Sequence, residues 1–97
     1  MPLKIHWTPE SKITYNNTLE SISEKWPAKE LKKFVQKTEN VLSNISQNPE
    51  LFPRSKRKNT RKCVVTRHTS LFYRIKQDEI ELVSFWDNRQ DPKKLKL

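Results

Sequence analysis

Glycine is absent from this 97-residue chain. Glycine loops that cradle phosphate are thereby excluded, and any turn that needs a positive φ must use Asn, Asp, His or Ser, or avoid the need. The single cysteine, Cys63, excludes an internal disulfide, and two histidines give no metal-ligand spacing, so neither a metal nor a cofactor is expected. No run approaches the roughly 18 apolar residues that span a bilayer, and residues 1–7 lack the apolar core of a signal peptide. No membrane partner is expected, and a reducing, cytoplasmic setting fits. Apolar residues make up only 33% of the chain against 32% charged, a lean supply for a core. Three Trp, four Phe and two Tyr supply large buried areas all the same, which argues for a folded domain with a polar skin.

Acidic residues are missing from one window. Residues 51–77 contain none, but they carry nine bases: Arg54, Lys56, Arg57, Lys58, Arg61, Lys62, Arg67, Arg74 and Lys76. The other 70 residues hold eleven of each sign, so the whole formal charge of +9 lies in that window. A solubilising skin is normally mixed in sign, whereas clustered positive charge focuses potential and draws anions. The window is therefore the expected site for a polyanion or an acidic peptide.

The chain length fits one domain with a two-layer core. Leu3, Ile5 and Trp7 alternate with polar residues, as in a strand. Thr8, Pro9 and Glu10 read as a helix start: an N-cap, a proline where its missing N–H costs nothing, and an acid in the first turn. Tyr15, Leu19, Ile22 and Trp26 form the apolar stripe of that helix, and Pro27 interrupts it. Leu31, Phe34, Val35, Thr38, Val41, Leu42 and Ile45 then recur at three and four, the clearest helical pattern in the chain, ended by Asn48 and Pro49. Leu51 and Phe52 are expected to tuck against the core. Three strand-like runs follow, over 62–66, 71–75 and 80–86, with connections at 67–70 and 77–79 short enough for hairpins. The expected fold is α+β: an N-terminal strand, then an antiparallel helical hairpin packed on a twisted antiparallel sheet whose last three strands form a meander. The other sheet face is left partly open and basic, and residues 93–97 are read as a tail.

This order, the strand Leu71-Phe72-Tyr73-Arg74-Ile75, the strand at Ile80-Glu81-Leu82, and the ending Trp86-Asp87-Asn88-Arg89-Gln90-Asp91-Pro92 together resemble the RelE/ParE superfamily of bacterial type II toxins. The resemblance covers nearly the whole chain and implies a single toxin domain over residues 1–97. It also implies a basic, cytoplasmic, growth-arresting protein neutralised by a cognate antitoxin. The superfamily divides at mechanism. RelE-like members cleave mRNA on the ribosome without a metal, and ParE-like members inhibit DNA gyrase. A plain nucleic-acid-binding module is the reading outside the toxin class.

Metal-free cleavage requires cations preorganised around one phosphate and a group that moves a proton. The resemblance puts Arg89 at the basic position after the last strand. Where RelE-like chains have an arginine before the third-strand aromatic, this sequence reads Ser70-Leu71, with Arg67 the nearest cation, and Leu95 stands near the place of their C-terminal tyrosine. The candidate catalytic set is Arg61, Lys62, Arg67, His68 and Arg89, with His68 able to titrate near neutrality. Arg54, Lys56, Arg57, Lys58 and Arg74 are candidates for binding nucleic acid or a protein target. Glu50 and Glu81 read as ordinary exposed acids, Cys63 as a small core residue, and Phe72 and Trp86 as packing residues that could stack on bases if they faced the open side. An acidic antitoxin tail is expected across the hairpin and the basic side of the sheet, with charge reversal at Arg57 and Arg61 slowing its association.

Overall fold

The computed structural model describes residues 2–57 and 59–95. Strand β1 (Lys4–Trp7) leads into helices α1 (Pro9–Lys25) and α2 (Ala28–Gln47), followed by strands β2 (Arg61–Thr66), β3 (Thr69–Lys76) and β4 (Glu79–Asp87) and a 3₁₀ turn over Pro92–Lys94. The sheet order is β1-β4-β3-β2. β2, β3 and β4 form the expected antiparallel meander, whereas β1 pairs parallel to β4, so the sheet is mixed. A strand that enters the fold before a helical hairpin is carried to the far edge, and there it runs alongside β4.

Local chemistry sets the helix ends. The Thr8 hydroxyl accepts from the Ser11 N–H at 3.1 Å and itself donates to the Leu82 carbonyl at 2.7 Å, so one side chain caps α1 and fastens it to β4. Pro27 drives the residue before it into extended backbone. Trp26 accordingly takes φ −133° and ψ 155°, ends α1, and swings its ring outward to 53% exposure. The expected core stripe of α1 is corrected to Tyr15, Leu19 and Ile22. At the far end of the hairpin the Leu3 N–H donates to the Ser46 carbonyl at 2.8 Å and the Ser46 hydroxyl donates back to the Leu3 carbonyl at 2.6 Å, which ties α2 to the start of β1.

The main core lies between the helices and the sheet: Phe34 and Ile45 of α2 against Cys63, Val65, Leu71, Tyr73, Ile80, Leu82 and Phe85. Phe52 packs on it as expected, but Leu51 is about half exposed. A bulge in β4 controls which side chains reach this core. Tyr73 pairs with Leu82 and Phe72 with Ser84, so Val83 is an extra residue. The extra step brings both Leu82 and Phe85 to the helix side and sends Trp86 to the other. β1 ends opposite Leu82, so beyond it β4 is paired with β3 on one edge and, among the described residues, has no strand on the other. The Thr14 hydroxyl on α1 accepts from the Phe85 N–H at 2.9 Å and fills that gap. Replacement Thr14→Val keeps the shape and strands the N–H, and is expected to cost about 1–3 kcal/mol in urea unfolding; an unchanged midpoint would refute the assignment.

The tail expectation also needs correction. Leu95 is only 8% exposed and closes a second, smaller cluster with Phe72, Val83 and Trp86 on the sheet face away from the helices. Residues 96–97 lie outside the described residues. Among the described residues, positive φ falls on Asn59 (50°), one of the residue types expected, and on Gln77 (57°), which is not. Asparagine tolerates that region, whereas glutamine does not favour it.

Candidate functional site

The basic window occupies both sides of the sheet, and the structure divides its cations into four places. Arg67 and His68 form the two-residue turn between β2 and β3, narrower than the connection expected, because Thr69 and Ser70 already belong to β3 and are buried. Asn88 holds this turn to the C-terminal segment. Its backbone N–H donates to the His68 carbonyl at 2.7 Å, its amide donates to the Arg67 carbonyl at 3.4 Å, and the Ser70 hydroxyl donates to its Oδ1 at 2.8 Å. Arg89 is thereby brought to the same end of the sheet.

There Arg89 faces Asp87 as a fork. Nε reaches Oδ1 at 3.0 Å and Nη2 reaches Oδ2 at 2.8 Å, and the Arg89 N–H adds a third bond to Oδ1 at 2.9 Å. These hydrogen bonds from Arg89 hold the Asp87 carboxyl below its ordinary range against an opposing push from burial, and the carboxylate in turn raises Arg89. The Arg89 charge is thus largely compensated within its own turn.

The cations at the other end of β2 are placed differently. Arg61 stands on the same face as Cys63 and Val65, and its Nη1 donates to the Phe52 carbonyl at 2.8 Å. It fastens the loop after the hairpin and does not project from the open face. Lys62 points the opposite way, with Nζ 6.0 Å from the Phe72 ring centroid. The loop before β2 folds back on the strand edge through a bridge between Arg54 and Arg61, with the Lys62 N–H on the Pro53 carbonyl at 3.1 Å and the Ser55 N–H on the Thr60 carbonyl at 2.8 Å. Thr60 closes the loop by donating its hydroxyl to the Arg57 carbonyl at 2.6 Å. Arg54, Lys56 and Arg57 ride on this built loop, and Lys58 lies outside the described residues. Arg74 sits in the sheet opposite Glu81, with Nε 3.5 Å from Oε1.

The five candidate catalytic residues therefore do not converge. Arg67, His68 and Arg89 share one end of the sheet, and Arg61 and Lys62 lie a strand length away, on the order of 16 Å at roughly 3.3 Å per residue. Two clefts follow from this division. The first, about 700 Å³, opens between the helical hairpin and the Arg67/His68 turn. Ile22, Phe34 and Phe85 give it an apolar floor, and Lys33, Lys37 and Arg67 stand on its rim. Its acids are already paired: Glu30 lies 3.7 Å from Lys33, and Asp87 is held by Arg89. The second cleft, about 620 Å³, lies on the sheet face away from the helices and is lined by Arg54, Lys56, Arg57, Lys62 and Trp86. Trp26, Lys33 and Lys37 were not legible as site residues, since each sits within a regular helical pattern that reads as surface or core. Among the described residues, no group of three or more His, Cys, Asp or Glu gathers as a metal site, and no helix is long and apolar enough to cross a membrane.

Comparison with known proteins agrees with this architecture. A family model described as "ParE toxin of type II toxin-antitoxin system, parDE" matches residues 5–92. Among solved structures, the chain is similar to one from the chromosomal ParDE system of P. aeruginosa, with a TM-score of 0.74 and 17% identity over 88% of this chain and 95% of that one. It is also similar to a YoeB/ParE toxin from Agrobacterium tumefaciens, at TM-score 0.62 and 14% identity over 89% and 99% of the two chains. The YoeB dimer from Staphylococcus aureus aligns at TM-score 0.61 and 16% identity over 93% and 100%. No curated protein matches the chain at a significant level.

Proposed function

The chain belongs to the ParE toxin family of type II toxin–antitoxin systems, and from that premise we propose that it arrests growth by seizing a protein target, DNA gyrase, and cuts no RNA. One observation carries the choice of mechanism: the cations needed around a scissile phosphate are split between two ends of β2, and Arg89, which the superfamily resemblance puts at the catalytic position, is already tied to Asp87 at 2.8 Å. Cleavage without a metal requires those groups within hydrogen-bond reach of one phosphate. Recognition of a protein surface has no such requirement and tolerates dispersed charge. The purified toxin is expected to inhibit supercoiling by gyrase while leaving messages uncut in an in-vitro translation reaction read by primer extension. Cleaved message together with unimpaired supercoiling would overturn the proposal in favour of Arg67, His68 and Arg89 as an RNase site.

The neutralising partner is a cognate antitoxin that meets the toxin in the cytoplasm. The 700 Å³ cleft suits an amphipathic acidic segment: apolar side chains on Ile22, Phe34 and Phe85, carboxylates on Lys37 and Arg67. Arg61, committed to the Phe52 carbonyl, is a poor probe of this contact. Charge reversal at Lys37 and Arg67 is expected to slow association about tenfold or more at low salt, with the difference shrinking as salt screens it. Stopped-flow association rates that match wild type at low salt would move the partner elsewhere.

A further inference from the structure

The cleft beside the hairpin contains carboxylates of its own, placed where those of an acidic partner would have to go. Its lining includes Glu30 and Asp87, and each is bound to a cation of the same cleft, Glu30 to Lys33 at 3.7 Å and Asp87 to Arg89 at 2.8 Å. Lys37 and Arg67 line the cleft too, with no carboxylate within ion-pair distance among the described residues. The cations therefore fall into an open pair and an occupied pair.

The two occupied cations differ in kind. Glu30 lies in the first turn of α2, where the helix dipole favours an acid whatever its partner, and its contact with Lys33 is a single exposed one. Asp87 makes two separable sets of bonds. Its Oδ1 accepts the Arg89 N–H at 2.9 Å, which shapes the turn and which the amide oxygen of an asparagine would do equally well. Asn88 holds the same turn independently through the Arg67 and His68 carbonyls and the Ser70 hydroxyl. The fork from the Arg89 side chain is not needed to build the turn, yet it fills a bidentate receptor for a carboxylate. The side chains of Arg89 and Asp87 are 53% and 32% exposed, so an incoming carboxylate can reach the pair.

We propose that Asp87 is a built-in competitor, which occupies the Arg89 fork in place of a carboxylate of the acidic partner and must be displaced before the partner can use the whole cleft. The inference rests on the antitoxin reading of this cleft and deepens it by naming what limits affinity there. Binding at Arg89 exchanges one charge-assisted fork for another and leaves Asp87 facing the partner's acids. Lys37 and Arg67 then supply the net attraction, and the partner is released more readily than from a cleft whose cations all lie open.

Fluorescence anisotropy on the full chain tests this with a labelled amphipathic peptide of about 15 residues, roughly four helical turns, leucine on one face and glutamate elsewhere. Asp87→Asn keeps the turn-forming oxygen and is expected to tighten binding about threefold to tenfold at low salt, with an unchanged thermal unfolding curve as the check on folding. Glu30→Gln removes the same charge from the same cleft but frees no fork, and is expected to tighten it by at most about twofold. Arg89→Lys added to Asp87→Asn keeps the charge and loses the fork, and is expected to abolish most of the gain. In the free protein Arg89 holds the Asp87 carboxyl below its ordinary range; when the peptide takes the fork, carboxyl-carbon NMR is expected to show it titrating nearer that range. Equal gains from Asp87→Asn and Glu30→Gln, a gain that survives Arg89→Lys, or an Asp87 carboxyl that titrates identically free and bound would each overturn the proposal. Peptide binding that Lys37→Glu weakens but Asp87→Asn leaves unchanged or weakens would overturn it alone. Binding indifferent to Lys37→Glu would remove the antitoxin reading of the cleft, and the proposal with it.

Discussion

Replacement Phe85→Ala is expected to cost about 3–5 kcal/mol, a large part of the roughly 5–15 kcal/mol that holds a domain together. The ring is 3% exposed and sits where three elements meet. Its centroid lies 5.7 Å from Trp7 of β1 in a stacked pair and 5.0 Å from Tyr15 of α1, and Tyr15 in turn stacks on Phe34 of α2 at 5.9 Å. Truncation therefore removes transfer energy, leaves a cavity, and unlinks an aromatic chain that joins both helices to two strands. Phe85→Leu fills most of the volume and is expected to cost less than half as much. Val64→Ala on the open face serves as the contrast, with a change within about 0.5 kcal/mol. Urea unfolding with an unchanged m-value reads all three. A loss below about 1 kcal/mol for Phe85→Ala would mean that the aromatic chain is not the keystone of the core.

Position 85 also marks where sequence reasoning stops. The helices were legible because their cues are local: Thr8 and Pro9 at the start of α1, Pro27 between the helices, and a three-and-four spacing from Leu31 to Ile45. The hairpins were legible from the short polar connections between β-rich runs. Strict alternation from Ile80, however, carries Trp86 to the helix face and Phe85 to the open one, the reverse of what is found. The bulge at Val83 inverts the pattern, and a bulge leaves no mark in a run of β-branched and aromatic residues. The parallel placement of β1 was hidden for a similar reason, because strand order is decided by where the hairpin returns the chain and not by any residue within β1. Proline acted on Trp26 in a way that spacing alone does not register, since the extended residue before it leaves the helical stripe.

The same limit applies to the charged window. Its existence is a matter of counting, but the structure spreads its residues over both faces of the sheet, with Arg67 in the cleft beside the hairpin and Arg54, Lys56, Arg57 and Lys62 in the other. Its division is tertiary. Arg61 and Lys62 are neighbours in sequence but stand on opposite faces of β2, one bonded to a loop carbonyl and the other above Phe72. Arg89 looked like a free cation after the last strand, whereas Asp87, two residues earlier, folds back to meet it. A turn that brings residues two apart into a bidentate pair is set by the Asn88 contacts to the neighbouring hairpin, partners some twenty positions away.

Cys63 is expected to react with a small aromatic disulfide at least about a thousandfold more slowly in the native protein than in denaturant. Two effects multiply. Burial at 0% exposure pushes the thiol from 9.0 up to about 11, and since the thiolate is the nucleophile, at neutral pH that shift alone removes about a hundredfold of reactivity. Access supplies the rest, because the reagent reaches sulfur only when β2 parts from α2 and β3. β2 is an edge strand, paired with β3 and, among the described residues, bridged on its outer side where Arg54 meets Arg61, so its opening measures the least protected part of the core. The pH dependence follows from the sign of the shift. A thiol whose folded value is raised contributes stability that is fully present below about pH 9 and lost as pH rises through about 11. Tyr15 and Tyr73, also raised by burial, add losses of the same sign at higher pH. Cys63→Ala is therefore expected to lower stability at neutral pH through its small cavity yet to flatten the decline between pH 9 and 11 relative to wild type. Native labelling within about tenfold of the unfolded rate would show that β2 opens freely and that the cysteine is held by neither burial nor the strand.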